Sequence, residues 1–203
     1  MLIFWKERLV ILAVPKTGTS AYARALGPRA DIVVREPPEL KHAPLRRYNR
    51  FFHPMLDKMG AGPVDIMAVV RHPVDWLGSW YRYRQRPFLA GKDTSTAGLS
   101  FDAFVADYCR GDQPAHAHVG SQSRFLAPKP DGVTVTHLFQ YEDQPRILSF
   151  LVQRLGHAID LEQENVSPAA SLTLSQELED RLRRKYAADF DLWEQAGATP
   201  PER

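Results

Sequence analysis

A single cysteine, Cys109, is all that 203 residues offer for crosslinking. An internal disulfide is therefore excluded, and the usage fits a reducing compartment. Long apolar runs are also missing. The richest stretch, Met1 to Val14, is interrupted by Lys6, Glu7 and Arg8. What remains is about one strand long, whereas a signal peptide or membrane anchor needs a longer uninterrupted run. We therefore expect a soluble, cytoplasmic chain without a membrane span. Charge of one sign is scarce: the net charge is +2, too small to argue for nucleic acid or a membrane surface. It is compatible with an anionic small molecule held by a few local basic groups. No convincing metal set is present. His116-Ala-His118 has the shortest histidine spacing but no clear third ligand. With no repeat, low-complexity tract or linker, residues 1–203 read as one domain, long enough to bury a substantial core.

Punctuation by proline and glycine divides the chain into alternating elements. Leu9 to Val14 reads as a buried strand bounded by Pro15 and Gly18. A loop leads into a helix over Thr19 to Leu26, stopped by Gly27-Pro28. Asp31 to Arg35 is a second strand, broken by Pro37-Pro38, and a helical stretch from about Pro44 to Gly60 carries a kink at Pro54. Asp65 to Val70 is a third strand, and Pro73 opens the next helix at a favoured first-turn position. An irregular segment follows Arg86. Phe101 to Cys109 then reads as a helix, Val133 to Phe139 as a strand and Glu142 to Leu155 as a helix. Leu178, Leu182, Tyr186, Phe190 and Trp193 form one apolar face on a closing helix, with Thr173 and Gln176 as its capping box. This alternation predicts an α/β fold in three layers: a mostly parallel sheet flanked by helices. Ligands of such sheets bind at the carboxyl ends of the strands.

Two strand ends carry unusual chemistry. The first strand runs into Pro15-Lys16-Thr17-Gly18-Thr19-Ser20 and then a helix. Strand, glycine-bearing loop and helix N-terminus make an anion site, because backbone N–H groups and the helix dipole both favour negative charge. Lys16 adds a cation, and Thr17, Thr19 and Ser20 add hydroxyls. A nucleotide-hydrolase loop would end Gly-Lys-Ser/Thr, but here Thr19 follows Gly18 and the lysine stands two residues before the glycine. The third strand runs into Val70-Arg71-His72-Pro73, with Ser79 two turns into the helix. Arg71 offers a planar fork suited to phosphate, and Ser79 offers a hydroxyl to the same anion. Asp75 suits the dipole of that helix.

Together these segments resemble the sulfotransferases that use 3'-phosphoadenosine 5'-phosphosulfate (PAPS), most closely the carbohydrate-type branch. In that family an early-lysine loop holds the 5'-phosphosulfate, and Arg-x-Pro followed by Ser-x-Tyr holds the 3'-phosphate. Arg71, Pro73, Ser79 and Tyr81 fall in register with the second motif. Ser121-Gln122-Ser123-Arg124-Phe125-Leu126, Tyr141-Glu142-Asp143, Asn165-Val166-Ser167, and Tyr186 with Asp189-Phe190 are similar to later family segments, in order. The resemblance implies a P-loop-like topology and a nucleotide donor bound by Lys16, Thr17, Gly18, Thr19, Ser20, Arg71 and Ser79. On the same resemblance, Arg124 would partly substitute for the basic Lys-Gly-type loop near the C-terminus that some branches use on the 3'-phosphate. It implies no metal. His42, between the two motifs, is the first choice for the base that deprotonates the acceptor hydroxyl or amine, with Glu36 and His53 behind it. Lys16 would also stabilise the leaving phosphate oxygen. The acceptor is unspecified, and the carbohydrate-type segments tilt it toward a glycan or glycolipid. The alternatives are a magnesium–ATP kinase on the same architecture and a non-catalytic nucleotide-binding protein.

Overall fold

Leu2–Phe4 (β1) and Leu9–Ile11 (β2) pair as an antiparallel hairpin. The charged residues that interrupt the N-terminal apolar run are its turn: Arg8 has φ 50°, and its N–H bonds the Trp5 carbonyl at 3.2 Å. Where the sequence suggested one strand there are therefore two. The computed structural model describes residues 1–159 and 172–198. Asn165-Val166-Ser167 lies outside them.

The remaining strands are Ile32–Val33 (β3), Asp65–Val70 (β4) and His137–Gln140 (β5). Among the described residues they form a five-stranded sheet in the order β3-β1-β2-β4-β5. β1 runs antiparallel to both neighbours, while β2, β4 and β5 pair in parallel. The sheet is thus mixed, and the expected mostly parallel order needs correcting at β1. A two-strand hairpin can be closed by a short turn, whereas each parallel pair requires a crossover. β5 begins four residues later than its alternating pattern suggested. Thr136 ends the approach by exchanging bonds with Ile66, its hydroxyl accepting from the Ile66 N–H and donating to the Ile66 carbonyl.

The helices are Thr19–Leu26 (α1), Pro38–Lys41 (α2), Leu45–Arg47 (α3), His53–Lys58 (α4), Pro73–Arg84 (α5), Phe101–Tyr108 (α6), Gln122–Leu126 (α7), Gln144–Leu155 (α8), Gln176–Lys185 (α9) and Ala187–Gly197 (α10). Both sheet faces are covered, so the strands read as nearly continuous apolar runs. Ile3, Val10, Leu12, Ile66, Ala68 and Val70 pack on Leu45, Tyr48, Leu56, Leu126 and Ala196. Their neighbours Leu2, Phe4, Leu9, Ile11, Met67 and Val69 pack on Tyr22 and Leu26 of α1 and on Ile147, Leu151 and Leu155 of α8.

The kink expected at Pro54 is a π-turn over Tyr48–Phe52 between α3 and α4. Proline has no N–H and crowds the carbonyl four residues back, so the preceding turn widens. The closing apolar series spans two helices, not one. Tyr186 breaks it at φ −118°, ψ 35°, where it stacks on Tyr108 at 4.3 Å and donates to the Tyr108 carbonyl. The residue before α9 is Ser175, and no side chain caps that end, so the Thr173–Gln176 box does not form.

Candidate functional site

β2 and β4 are adjacent and parallel, and their chains depart toward opposite edges of the sheet: through α1 to β3, and through α5, α6 and α7 to β5. Such a switch point leaves a crevice at the strand carboxyl ends. The loop Pro15–Gly18 lies at that end, between β2 and α1. Thr17 is fully buried, and its hydroxyl donates to the Val14 carbonyl at 2.9 Å. That hydroxyl is spent on holding the loop, which leaves Thr19 and Ser20 as hydroxyls at the helix start. From α5, the Trp76 indole N–H donates to the Pro15 carbonyl at 2.8 Å. Gly18 has φ 75°, and a Cβ there would stand 3.0 Å from Cε2 of Tyr141. Glycine is required twice, by the left-handed backbone and by the ring above it. The first turn of α1 carries no acidic residue, so its unpaired N–H groups face no competing charge from their own helix.

Arg71 continues β4. Its backbone is clamped by the buried Gln122 side chain, which accepts from the Arg71 N–H at 2.8 Å and donates to the Arg71 carbonyl at 2.7 Å. Gln122 is positioned in turn by Asp189 of α10, whose carboxylate accepts from the Gln122 and Ser123 N–H groups. The Arg71 guanidinium lies 4.6 Å from the centroid of the Tyr141 ring, the same ring that covers Gly18. Lys16 reaches the site from the other wall, with φ 66° and its Nζ 4.3 Å from the Tyr83 ring and 5.7 Å from that of Trp80.

These cations crowd one another without a matching set of carboxylates. Burial first, then Arg86, Arg71 and Arg82, lower the Lys16 amine from its ordinary 10.5 to about 8. Burial and Arg71 also lower Arg82, which only Asp75 offsets. Among the described residues Lys16 makes no ion pair, and the buried Nε of Arg71, Nε of Arg82 and Nε1 of Trp80 have no hydrogen-bond partner. Buried donors are normally satisfied. The Nε groups of Arg71 and Arg82 and the Trp80 indole N–H are thus open donors near Lys16.

His42 stands against the start of the loop. Its Nδ1 is 2.7 Å from the Ala13 carbonyl, which has no proton to give, so Nδ1 carries the hydrogen and Nε2 of the neutral ring keeps its lone pair. Burial, and then the charges of Lys41, the N-terminal amine and Lys16, outweigh that bond and hold the imidazole below its ordinary 6.5. It is neutral at physiological pH. Glu36 is exposed at the rim of a nearby cavity. His53 is on α4, edge-on to Tyr48 at 6.2 Å.

Ser79 is half-buried on α5, one turn before Arg82 and Tyr83 on the same face. Arg124 is exposed on α7, where its charge acts on Asp189 and Tyr186. Glu142 accepts from the His72 N–H at 2.9 Å and from the Trp193 indole at 3.1 Å, tying β5, α5 and α10 together beneath the site. His116 bonds Asp107 at 2.8 Å, and among the described residues no group of three or more His, Cys, Asp or Glu gathers as a metal site. Sequence reasoning missed Trp80, Arg82, Tyr83 and Arg86. Continuing the helical spacing from Ser79 to 82 and 83 would have found Arg82 and Tyr83, and Trp80 one turn before Tyr83, whereas Arg86 lies beyond the helix end.

Comparison with protein-family models and with curated proteins returns no match. Fold and site define an α/β chain that gathers basic side chains, and a histidine held by the Ala13 carbonyl, around one strand-end loop.

Proposed function

We propose that the chain is a sulfotransferase, moving a sulfuryl group from PAPS to a hydroxyl or amine, on a P-loop-like version of the α/β fold. The observation that carries this reading is the pair of cations at adjacent strand ends, Lys16 after β2 against the Tyr83 ring and Arg71 after β4 against the Tyr141 ring, neither with a carboxylate partner among the described residues. Two separate anion subsites suit a nucleotide with a 5'-group and a 3'-phosphate. A simple nucleoside triphosphate has no use for the second.

Lys16, Thr19, Ser20 and the N–H groups around Gly18 hold the 5'-phosphosulfate. Arg71 holds the 3'-phosphate with Ser79, and Arg124 is the remaining cation on the helix that clamps Arg71. His42 Nε2 takes the acceptor's proton as the acceptor oxygen or nitrogen bonds to sulfur. The bond from sulfur to the bridging phosphate oxygen breaks, and Lys16 stabilises the charge gathering on that oxygen. Protons and charge balance without a metal.

Calorimetric titration tests the reading, with 3'-phosphoadenosine 5'-phosphate (PAP), adenosine 5'-phosphate and magnesium–ATP run side by side. A charged, bidentate contact to the 3'-phosphate predicts a preference for PAP over adenosine 5'-phosphate of about 10- to 100-fold, lost in Arg71→Ala. Binding of magnesium–ATP as tight as PAP would overturn the proposal in favour of a kinase. Tight PAP binding without turnover across broad acceptor panels would favour a non-catalytic nucleotide-binding protein.

A further inference from the structure

A cavity of about 540 Å³ opens at the carboxyl edge of the sheet, within the range of small-molecule sites. Thr17, Thr19 and Ser20 of the loop and helix start form part of its wall, as does Ala13, whose carbonyl holds His42. The rest of the interior is largely hydrocarbon, from Leu2, Ile11, Leu12, Val34 and Val69. Arg24, Arg35, Glu36 and Lys41 are the charged residues of its lining. Lys16 and Arg71 do not line it.

The structure thereby divides the crevice. A nucleotide spanning Lys16 and Arg71 runs from the loop toward β4 and β5, whereas most of the cavity wall comes from β1, β2, α1 and the segment after β3. We infer that this cavity receives the acceptor, and that the acceptor carries its hydroxyl on a compact hydrocarbon body, not on a sugar. The inference rests on the sulfotransferase reading and departs from the glycan suggested by the sequence. The physical reason is desolvation. A pyranose bears a hydroxyl on most ring carbons, and each one buried without a partner costs about 1–3 kcal/mol. Leucine, isoleucine and valine walls offer those hydroxyls nothing. A hydrocarbon ring gains on the same walls, while its single hydroxyl points to the polar end formed by Thr19 and Ser20 beside Ala13, the residue whose carbonyl holds His42.

The test uses protein saturated with PAP and titrated with 2-naphthol or methyl β-glucoside, with binding followed by calorimetry and saturation-transfer NMR. Naphthol is expected to bind and the glucoside to show no binding at the same concentration. Ala23→Phe, which places a ring from the cavity wall into its space, should weaken naphthol at least tenfold and leave PAP affinity unchanged. Ala23→Leu should do the same to a smaller degree, and retained PAP binding certifies that either variant is folded. Binding of the glucoside as tight as naphthol, naphthol binding indifferent to both variants, or displacement of naphthol by PAP would each overturn the inference. The last outcome would assign the cavity to the adenine. If PAP itself fails to bind, the sulfotransferase reading falls and the acceptor role falls with it. If PAP binds and naphthol does not, only the acceptor inference is lost.

Discussion

Replacing Lys16 by methionine should make the protein more stable and nearly unable to bind PAP. The amine falls from 10.5 to about 8 on folding, burial being the main cause and three arginines the rest. At about 1.4 kcal/mol per pKa unit, the charged lysine costs the folded state about 3 kcal/mol below pH 8. Methionine fills similar space and leaves the φ of 66° as it was. It forfeits the cation–ring contact with Tyr83, worth about 1 kcal/mol. The net gain is about 2 kcal/mol, or a Tm rise of about 4–8 °C for a chain of this size. The sign depends on pH in a way that packing effects do not imitate. Because the folded pKa is the lower one, the folded state holds fewer protons than the unfolded between about 8 and 10.5, and wild-type stability climbs across that window. The variant's advantage should therefore be largest below pH 8 and shrink toward pH 10.5. Thermal melts from pH 6 to about 10.5, with and without PAP, read both quantities. PAP should raise the wild-type Tm and leave that of Lys16→Met nearly unmoved. A variant less stable than wild type at pH 7, or one that keeps its PAP response, would show that the cluster is not strained for an anion.

The rate of sulfuryl transfer should be bell-shaped in pH. Its acid limb lies below 6.5, set by the depressed His42, and its alkaline limb lies near 8, set by Lys16. His42→Asn should abolish turnover and leave PAP affinity within a few-fold. An acid limb above 6.5, or retained turnover, would remove His42 from the chemistry. Gly18→Ala forces a side chain into a left-handed backbone 3.0 Å from Tyr141. It should cost about 1–3 kcal/mol of stability and weaken PAP, which melts and titration would check. Gln122→Leu orphans both backbone groups of Arg71, at about 1–3 kcal/mol each. Because Gln122 acts through Arg71, the preference for PAP over adenosine 5'-phosphate should narrow along with the loss in Tm. An unchanged preference would make its role purely structural.

Local chemistry determined a good part of this protein by itself. Gly18 and the helix start after it, Pro73 opening α5, the buried β4 and the one-sided apolar pattern of α8 follow from backbone sterics and periodicity, which neighbours in sequence supply. Tertiary structure alone decided the rest. Lys6 to Arg8 became a hairpin turn because β1 could pair with β2 and β3, and nothing within those residues encodes that pairing. Tyr186 broke an otherwise helical run because stacking on Tyr108 outweighed helix continuity. Thr17 turned its hydroxyl inward to Val14, while Arg82, Tyr83 and Trp80 joined Lys16. The neutral tautomer of His42 required a carbonyl 29 residues away. Hydrogen-bond partners, burial and the charge a site feels are long-range properties. They exist only once the strands have chosen their neighbours.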